Sequence, residues 1–257
     1  MTEIENKLLS YLTNIHGAKF VSRFKYIFNR SLGSIDLLNR SVLEIGAGPG
    51  YMSAMCAARS ASRVVALEPE GDGSTRGVNQ QFAQLRETLI GSGRLASHTL
   101  DYNSISLEQF QASRPTEKFD VILMYAVINH IDEDAVTKLH LPDADKAREN
   151  FVAIFRQLRN MLTDQGRVII SDVGRTNFWN SIGLGFPACP TIEWHKHQNP
   201  KVWIRLMTEA GFKNLSVEWL PLYRLRHLKA LVGLRWVAQC LNSEFLINGI
   251  NNLDSCE

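Results

Sequence analysis

This sequence of 257 residues contains few cysteines, no long apolar run and no large excess of charge of either sign. Its four cysteines, Cys56, Cys189, Cys240 and Cys256, form no C-x-x-C pair, which argues against a zinc knuckle or a disulfide framework. The apolar run at 121–128 is far shorter than the roughly 18 residues that a membrane span needs. The start MTEIENKLLSYL lacks the pattern of a secretion signal, so we expect a cytoplasmic protein.

A net charge of +2 gives no reason by itself to expect a polyanionic partner. Apolar residues follow a helical spacing through residues 1–30 and are interrupted at Gly17, which predicts two short amphipathic helices. From residue 41 onward, strand and helix patterns alternate. Strands are predicted at 41–46, 63–68, 96–101, 119–125, 167–172, 213–221 and 244–250, and helices at 50–60, 75–91, 105–112, 143–162 and 200–210.

Near-continuous apolar strands such as VVAL and RVII are typical of a parallel sheet that is buried on both faces. The pattern therefore predicts a doubly wound α/β domain, in which ligands bind beyond the carboxyl ends of the strands. We divide the chain into an N-terminal helical cap at 1–38 and a main domain at 39–257. An aromatic-rich segment at about 173–199 interrupts the alternation, which is typical of a cap insertion over a substrate.

The stretch VLEIGAGPGYM at 42–52 places a glycine-rich turn directly after the first strand. Gly46 and Gly48 fit the start of the dinucleotide fingerprint G-x-G-x-x-G, but Tyr51 stands where the third glycine is required. A P-loop would end in Gly-Lys-Ser or Gly-Lys-Thr, which this stretch lacks. The carboxylate of Glu44 would repel a pyrophosphate, whereas it suits a ligand with an ammonium group and a sulfonium cation.

Two further acids are predicted at successive strand ends. Glu68 ends the second strand, where a carboxylate can accept both hydroxyl groups of a ribose. Asp101 is expected to end the third strand, within reach of an adenine amino group, and Tyr102 could flank the ring. A single acid in such a place is often a helix cap or a solvated turn residue, but three together favour a nucleoside ligand.

These motifs, with FDVILMYAVINHI at 119–131 and LTDQGRVII at 162–170, resemble those of the class I S-adenosylmethionine-dependent methyltransferases. The resemblance covers roughly residues 40–172. It implies a mostly parallel seven-stranded sheet of order 3-2-1-4-5-7-6, S-adenosylmethionine as cofactor and S-adenosylhomocysteine as product. The cofactor contacts that it implies are Glu44, Gly46, Ala47, Gly48, Gly50, Glu68, Pro69, Asp101, Tyr102 and Tyr125.

The resemblance also implies that the segment after the fourth strand faces the methyl group. His130 could take a proton from an acceptor hydroxyl, and Tyr125 is the second catalytic candidate. His130 could instead cap the next helix or pack under the cofactor. Further substrate contacts are expected from Asn129, Trp179, His195, His197 and Arg224. His195 and His197 have no identifiable third ligand, so we predict no metal.

Two basic stretches, at 17–30 and 219–243, would suit an anionic substrate if they met, or would simply be solvated helix faces. No strong nucleic-acid signal accompanies them. We therefore expect methyl transfer to oxygen or nitrogen of a small organic substrate, which could be anionic. The alternatives are an RNA or protein methyltransferase and a regulatory protein that binds S-adenosylmethionine without catalysis. A nicotinamide oxidoreductase is the least favoured reading.

Overall fold

The computed structural model describes residues 2–69, 77–91, 96, 99–185, 192–221, 223, 235–241 and 243–251. It begins with helices α1 (Glu3–His16) and α2 (Ala18–Leu32), which Gly17 separates as predicted. The hydroxyl of Thr2 caps α1 by accepting the N–H of Glu5 at 3.1 Å. The apolar face of α1 is buried, and α1 packs against α2 and two later helices.

Strands and helices then alternate along the chain. The strands are β1 (Ser41–Ile45), β2 (Arg63–Leu67), β3 (Leu100–Asn103), β4 (Phe119–Tyr125), β5 (Leu162–Val173), β6 (Lys213–Trp219) and β7 (Glu244–Ile250). The α-helices are α3 (Tyr51–Ala58), α4 (Val78–Ile90), α5 (Leu107–Ser113), α6 (Glu133–Val136), α7 (Asp145–Asn160), α8 (Phe178–Ser181), α9 (Pro200–Glu209) and α10 (Arg235–Leu241). Short 3₁₀ helices lie at Ile128–His130 and Trp194–Lys196.

The strands form one seven-stranded sheet in the order β3-β2-β1-β4-β5-β7-β6. β1 pairs in parallel with β2 and β4, and β2 pairs in parallel with β3. β7 is antiparallel to both of its neighbours, β5 and β6. The predicted doubly wound fold, its strand order and its antiparallel seventh strand are confirmed.

The third strand differs from its prediction. We expected 96–101, but β3 begins at Leu100 and continues to Asn103, so Asp101 is its second residue rather than its end. The apolar pattern before β3 is weak, so the sequence did not show where the strand begins. In the structure, Tyr102 and Asn103 continue the pairing with β2. The boundary between α7 and β5 also moved, because Leu162 opens β5 instead of closing α7.

The chain divides into two compact units, Met1–Met124 and Tyr125–Glu257. In the second unit, α7 packs on α9, where Trp203 meets Phe151 and Phe155 edge to face at ring-centroid distances of 5.1 and 6.2 Å. These three rings are fully buried, which accounts for the clear apolar stripe of α7 in the sequence. Within the described residues, no helix combines the length and the apolar character needed to cross a membrane. The predicted boundary at residue 38 stays a prediction.

Helix α3 in the first unit is buried almost all round, because every residue from Met52 to Ala58 is buried. It begins after Gly50, whose φ of 75° lies in the left-handed region that favours glycine. A Cβ at Gly50 would lie 2.5 Å from the ring of Phe82 on α4. The glycine therefore serves both the turn and the close approach of α4.

Gly77 offers a matched control for Gly50, because it precedes α4 with φ 78° and its Cβ would meet no heavy atom of the described residues within 4 Å. We expect Gly77→Ala to lower the free energy of unfolding by about 1–2 kcal/mol, the cost of the left-handed backbone. Gly50→Ala should cost about 1–3 kcal/mol more, because the methyl group overpacks against Phe82. Urea unfolding of both variants measures the difference, and equal losses would show that the Phe82 ring imposes no constraint.

Candidate functional site

The glycine turn after β1 is tied to the end of the neighbouring strand β2. The N–H groups of Gly46 and Ala47 both donate to the carbonyl oxygen of Leu67, at 2.8 and 3.0 Å. Gly48 has φ 52°, and a Cβ at this position would meet no heavy atom of the described residues within 4 Å. The backbone of Gly48 therefore borders open space, which permits a ligand to approach it closely.

Glu68 is the residue immediately after β2, and its carboxylate lies on the glycine turn. The side chain is largely buried, and Oε2 accepts the N–H of Gly48 at 2.7 Å. A carboxylate bonded to a backbone N–H forms a charge-assisted hydrogen bond, which is stronger than a neutral one. The structure thus brings together the acid and the glycine that the sequence separates by 20 residues.

Glu44 supports the turn from inside the protein. The residue is 2% exposed, and Oε2 accepts the N–H of Ser53 at 2.8 Å and also the Ser53 hydroxyl. Burial, reinforced by the negative charge of Glu68, raises the pKa of Glu44 from 4.5 to about 8. We expected Glu44 to be a charge beside the ligand, but at neutral pH this carboxyl group carries a proton and holds β1 to the first turn of α3.

Asp101 does not hold the strand-end position that the sequence predicted for it. Its carboxylate forms an ion pair with Arg114, at 3.1 Å, and both side chains are more than one-third exposed. Since exposed ion pairs contribute little to stability, Arg114 could release Asp101 at small cost. A contact of Asp101 with adenine remains a prediction.

Tyr102 also belongs to the glycine turn. Its ring stacks on Phe82 with centroids 4.1 Å apart, and its hydroxyl donates to the carbonyl oxygen of Gly48 at 3.0 Å. Phe82 was not recognised in the sequence, where it looks like any apolar residue on the buried face of a helix. The two aromatic rings brace the turn next to Gly48 and Gly50.

Two asparagines near Glu68 carry polar atoms that find no partner in the described part of the chain. Asn103 ends β3, and within the described residues its buried Nδ2 donates to no hydrogen-bonding partner. Oδ1 of Asn79 is in the same situation, while Nδ2 of Asn79 donates to Ser104, whose hydroxyl donates to the carbonyl of Glu68 at 3.3 Å. Buried polar atoms normally have partners, so an unpaired donor and acceptor fit a ligand that supplies both groups. Sequence reasoning missed both asparagines.

An aromatic cluster from the N-terminal helices adjoins the glycine turn. Tyr51, the first residue of α3, bonds through its hydroxyl to Nε2 of His16 at 2.8 Å. The ring of Phe20 meets Tyr51 edge to face and is 36% exposed. Burial raises the pKa of Tyr51, with a further contribution from Tyr11. We call His16, Phe20 and Tyr51 the aromatic cluster; only the position of Tyr51 after the last glycine could have signalled it.

In the second unit, three of the predicted residues lie at the end of β4 and in the segment that follows it. The hydroxyl of Tyr125 donates to Oε1 of Glu244 at 3.2 Å. Asn129 is buried, and its Oδ1 has no partner among the described residues. His130 is half exposed and pairs through Nδ1 with Glu133 at 2.7 Å. His130 does not cap α6, because the side chain of Asp132 does so.

Glu133 shares its carboxylate with a second partner. Nζ of Lys196 lies 2.9 Å from Glu133 and 2.8 Å from Glu193, and His195 lies 3.9 Å from Glu193. The hydrogen bond from Lys196 and that from His130 lower the pKa of Glu133. The two histidines and two glutamates of this network are about half exposed. Solvent therefore screens their interactions, and the network contributes little to the stability of this surface.

His197 has a different environment from His195. It is 9% exposed, and its Nδ1 bonds to Oδ1 of the buried Asp172 at 3.2 Å. Trp179 is half-buried in α8 and packs edge to face on Phe178. Arg224 lies outside the described residues, as does most of the second basic stretch. Within the described part of the chain, no group of three His, Cys, Asp or Glu side chains could hold a metal ion.

The raised pKa of Glu44 predicts how stability depends on pH. Below pH 4.5 the carboxyl is protonated in both the folded and unfolded states; between pH 4.5 and about 8 only the unfolded chain releases the proton. Stability therefore falls as pH rises through this window, by several kcal/mol at about 1.4 kcal/mol per pKa unit. Glu44→Gln should remove this loss, since the amide cannot ionise.

Urea unfolding at pH 5, 6.5 and 8 measures this effect. As the pH rises, the free energy of unfolding should fall in the wild type and stay nearly constant in Glu44→Gln, so that the difference between the two shifts in favour of the variant. Glu87→Gln, at an exposed position of α4, is the control and should follow the wild-type curve. Parallel curves for the wild type and Glu44→Gln would contradict the protonated state of Glu44 at neutral pH.

Solved structures share this fold at low sequence identity. A SAM-dependent methyltransferase from Archaeoglobus fulgidus superposes with a TM-score of 0.56 and 12% identity, over 93% of this chain and 97% of that one. The cyclopropane synthase MmaA2 from Mycobacterium tuberculosis gives a TM-score of 0.56 and 13% identity, over 88% and 82%. A geranyl diphosphate methyltransferase in complex with GPP and sinefungin gives 0.54 and 13%, over 91% and 78%.

No match was found among curated proteins. The model of a sequence family described as "Methyltransferase domain" matches residues 19–217, which is most of the chain. This match includes the glycine turn, Glu68 and the segment after β4. The chain therefore belongs to the methyltransferase-domain family, and it is an enzyme that uses S-adenosylmethionine as its methyl donor.

Proposed function

We propose that this enzyme transfers the methyl group of S-adenosylmethionine to oxygen or nitrogen of a small organic acceptor. The observation that carries the cofactor half of the proposal is the hydrogen bond between the Glu68 carboxylate and the N–H of Gly48. This bond places an acid that suits ribose hydroxyls next to a turn whose backbone a ligand can approach closely. S-Adenosylmethionine supplies an electrophilic methyl group when bound, and the chain supplies alignment and proton removal.

The residues around Glu68 fit a nucleoside in chemistry as well as in position. Ribose hydroxyls are donors, and Glu68 offers carboxylate oxygens that only accept. Adenine presents both donors and acceptors, and among the described residues Asn103 and Asn79 supply a buried unpaired donor and a buried unpaired acceptor. A pyrophosphate would instead need cations or free N–H groups, and the acid on Gly48 opposes it.

The acceptor half of the proposal rests on histidines that are paired with carboxylates. In the second unit, His130 pairs with Glu133 and His197 pairs with Asp172. In His130 the second ring nitrogen, Nε2, accepts the side-chain amide of Asn129 at 3.4 Å. In His197 the carboxylate on Nδ1 orients the ring so that Nε2 can act as a base, which suits acceptors that lose a proton from O–H or N–H.

Binding measurements test the cofactor assignment. Glu68→Ala should weaken the binding of S-adenosylhomocysteine by about 1–3 kcal/mol, because buried hydrogen-bond partners lose the carboxylate. The control Glu87→Ala removes an exposed acid from the same unit and should leave affinity unchanged. Isothermal calorimetry measures both. Wild-type affinity in Glu68→Ala, or tight binding of NADH by the wild type, would count against the placement.

Transfer of a labelled methyl group tests the acceptor class. The enzyme is incubated with methyl-labelled S-adenosylmethionine and, in separate reactions, with phenols, aliphatic alcohols, amines, total RNA and a protein extract. We expect label on oxygen or nitrogen in the small-molecule reactions. Label confined to RNA or to protein would replace the proposal by the corresponding macromolecular methyltransferase. Label on carbon would overturn the assignment of the acceptor atom, and binding without transfer would favour a regulatory protein.

A further inference from the structure

Asp172 occupies the carboxyl end of β5, one residue before the strand ends. It is 2% exposed, and its Oδ1 accepts the N–H of Val173 at 2.7 Å in addition to the bond with His197. Its second oxygen, Oδ2, is buried and meets no donor from the described residues. A buried carboxylate with one open acceptor position is costly for stability alone, which points to a functional use.

His197 is held in place by the residues around it. Its backbone N–H donates to the carbonyl of Trp194 at 3.2 Å, and its ring meets the ring of Trp194 edge to face. The next residue, Gln198, is 1% exposed and donates to the carbonyl of Val136 at 2.7 Å. The following residue, Asn199, caps α9. The position of His197 is thus fixed by the contact with Trp194 before it, by the anchored residues Gln198 and Asn199 after it, and by the bond to Asp172.

The backbone beside Asp172 is strained. Ala126, the residue after β4, has φ 52°, which is uncommon for a residue with a side chain, and its N–H donates to the carbonyl of Ser171 at 2.8 Å. Such conformations cluster at ligand and catalytic sites. Asn129, whose buried Oδ1 has no partner among the described residues, follows three positions later. Strain and unpaired polar atoms thus accumulate in the chain segments next to Asp172 and after β4.

His130 is the weaker of the two candidate bases. Its side chain is 50% exposed, and its partner Glu133 also serves the ammonium group of Lys196. His197 has a buried carboxylate partner and a ring that is almost enclosed. Orientation by a buried acid is the arrangement that keeps a catalytic imidazole in one tautomer.

We propose that His197 is the general base of the methyl transfer and that Asp172 is its positioning residue. The inference rests on the proposed transfer to oxygen or nitrogen. Because the Asp172 carboxylate only accepts, Nδ1 of His197 carries the proton and Nε2 presents a lone pair. The sequence gives no sign of this pair, since its members stand 25 residues apart and Asp172 looks like any strand residue.

The acceptor oxygen or nitrogen forms a bond to the methyl carbon, and the sulfur–carbon bond breaks with its electron pair remaining on sulfur. The positive charge of the sulfonium is thereby lost. The proton of the acceptor moves to Nε2, and the imidazolium that forms is stabilised by the carboxylate of Asp172.

Nitrogen NMR of the wild-type protein tests the tautomer without an acceptor. In ¹⁵N-labelled protein, two-bond correlations between the carbon-bound ring protons and the ring nitrogens distinguish a proton on Nδ1 from one on Nε2, once the signals of His197 are assigned. We expect Nδ1–H in the neutral ring. A neutral ring protonated on Nε2 would overturn the proposal, whatever the behaviour of the variants.

Turnover of two variants tests the role itself. His197→Asn keeps a donor for Asp172 but has no basic nitrogen, so kcat should fall on the order of 10²–10⁴-fold while S-adenosylhomocysteine affinity is kept. Asp172→Asn should lower kcat more than it changes KM. The control His140→Gln, at an exposed position, should keep wild-type kcat.

These outcomes separate the inference from the proposed function. Wild-type kcat in folded His197→Asn would overturn the role of His197 and leave the methyltransferase assignment intact. A wild-type enzyme that transfers no label to hydroxyl or amine acceptors would instead overturn the proposed function. Equal losses of kcat and of S-adenosylhomocysteine binding in both variants would indicate a structural role for the pair.

Discussion

The hydrogen bond from Gly48 to the Glu68 carboxylate is the interaction on which the proposed cofactor site depends. It fixes a turn with left-handed glycines against the end of β2, where the carbonyl of Leu67 holds two further N–H groups. An acid is therefore part of the turn, and this acid decides which ligands can approach. Donors such as ribose hydroxyls are favoured, and phosphates are opposed.

Glu44 and Glu68 have different roles at the glycine turn because their environments differ. Glu44 is enclosed, so burial raises its pKa to about 8 and the protonated side chain acts as a structural link to Ser53. Glu68 instead accepts the N–H of Gly48, whose backbone borders open space. The same contrast separates the histidines, because His197 is enclosed beside Asp172 and His130 is open to solvent. Burial, more than residue type, assigns these roles.

The sheet could be predicted because buried parallel strands leave an apolar signature, as in β1, β2 and β4, and because the motifs resemble those of a known family. The glycine turn and Glu68 were found for the same reason. Asp101 was placed at a strand end because a weak apolar pattern hides where β3 begins. Phe82 and the pairing of Asp172 with His197 depend on contacts between distant segments, which no local pattern encodes.

A crystal structure of the protein with S-adenosylhomocysteine would test the central claim most directly. The account predicts ribose hydroxyls within hydrogen-bond distance of the Glu68 carboxylate, with the nucleoside lying against the backbone of Gly48. A nucleoside bound elsewhere, with the Glu68 carboxylate turned away from it, would contradict the account.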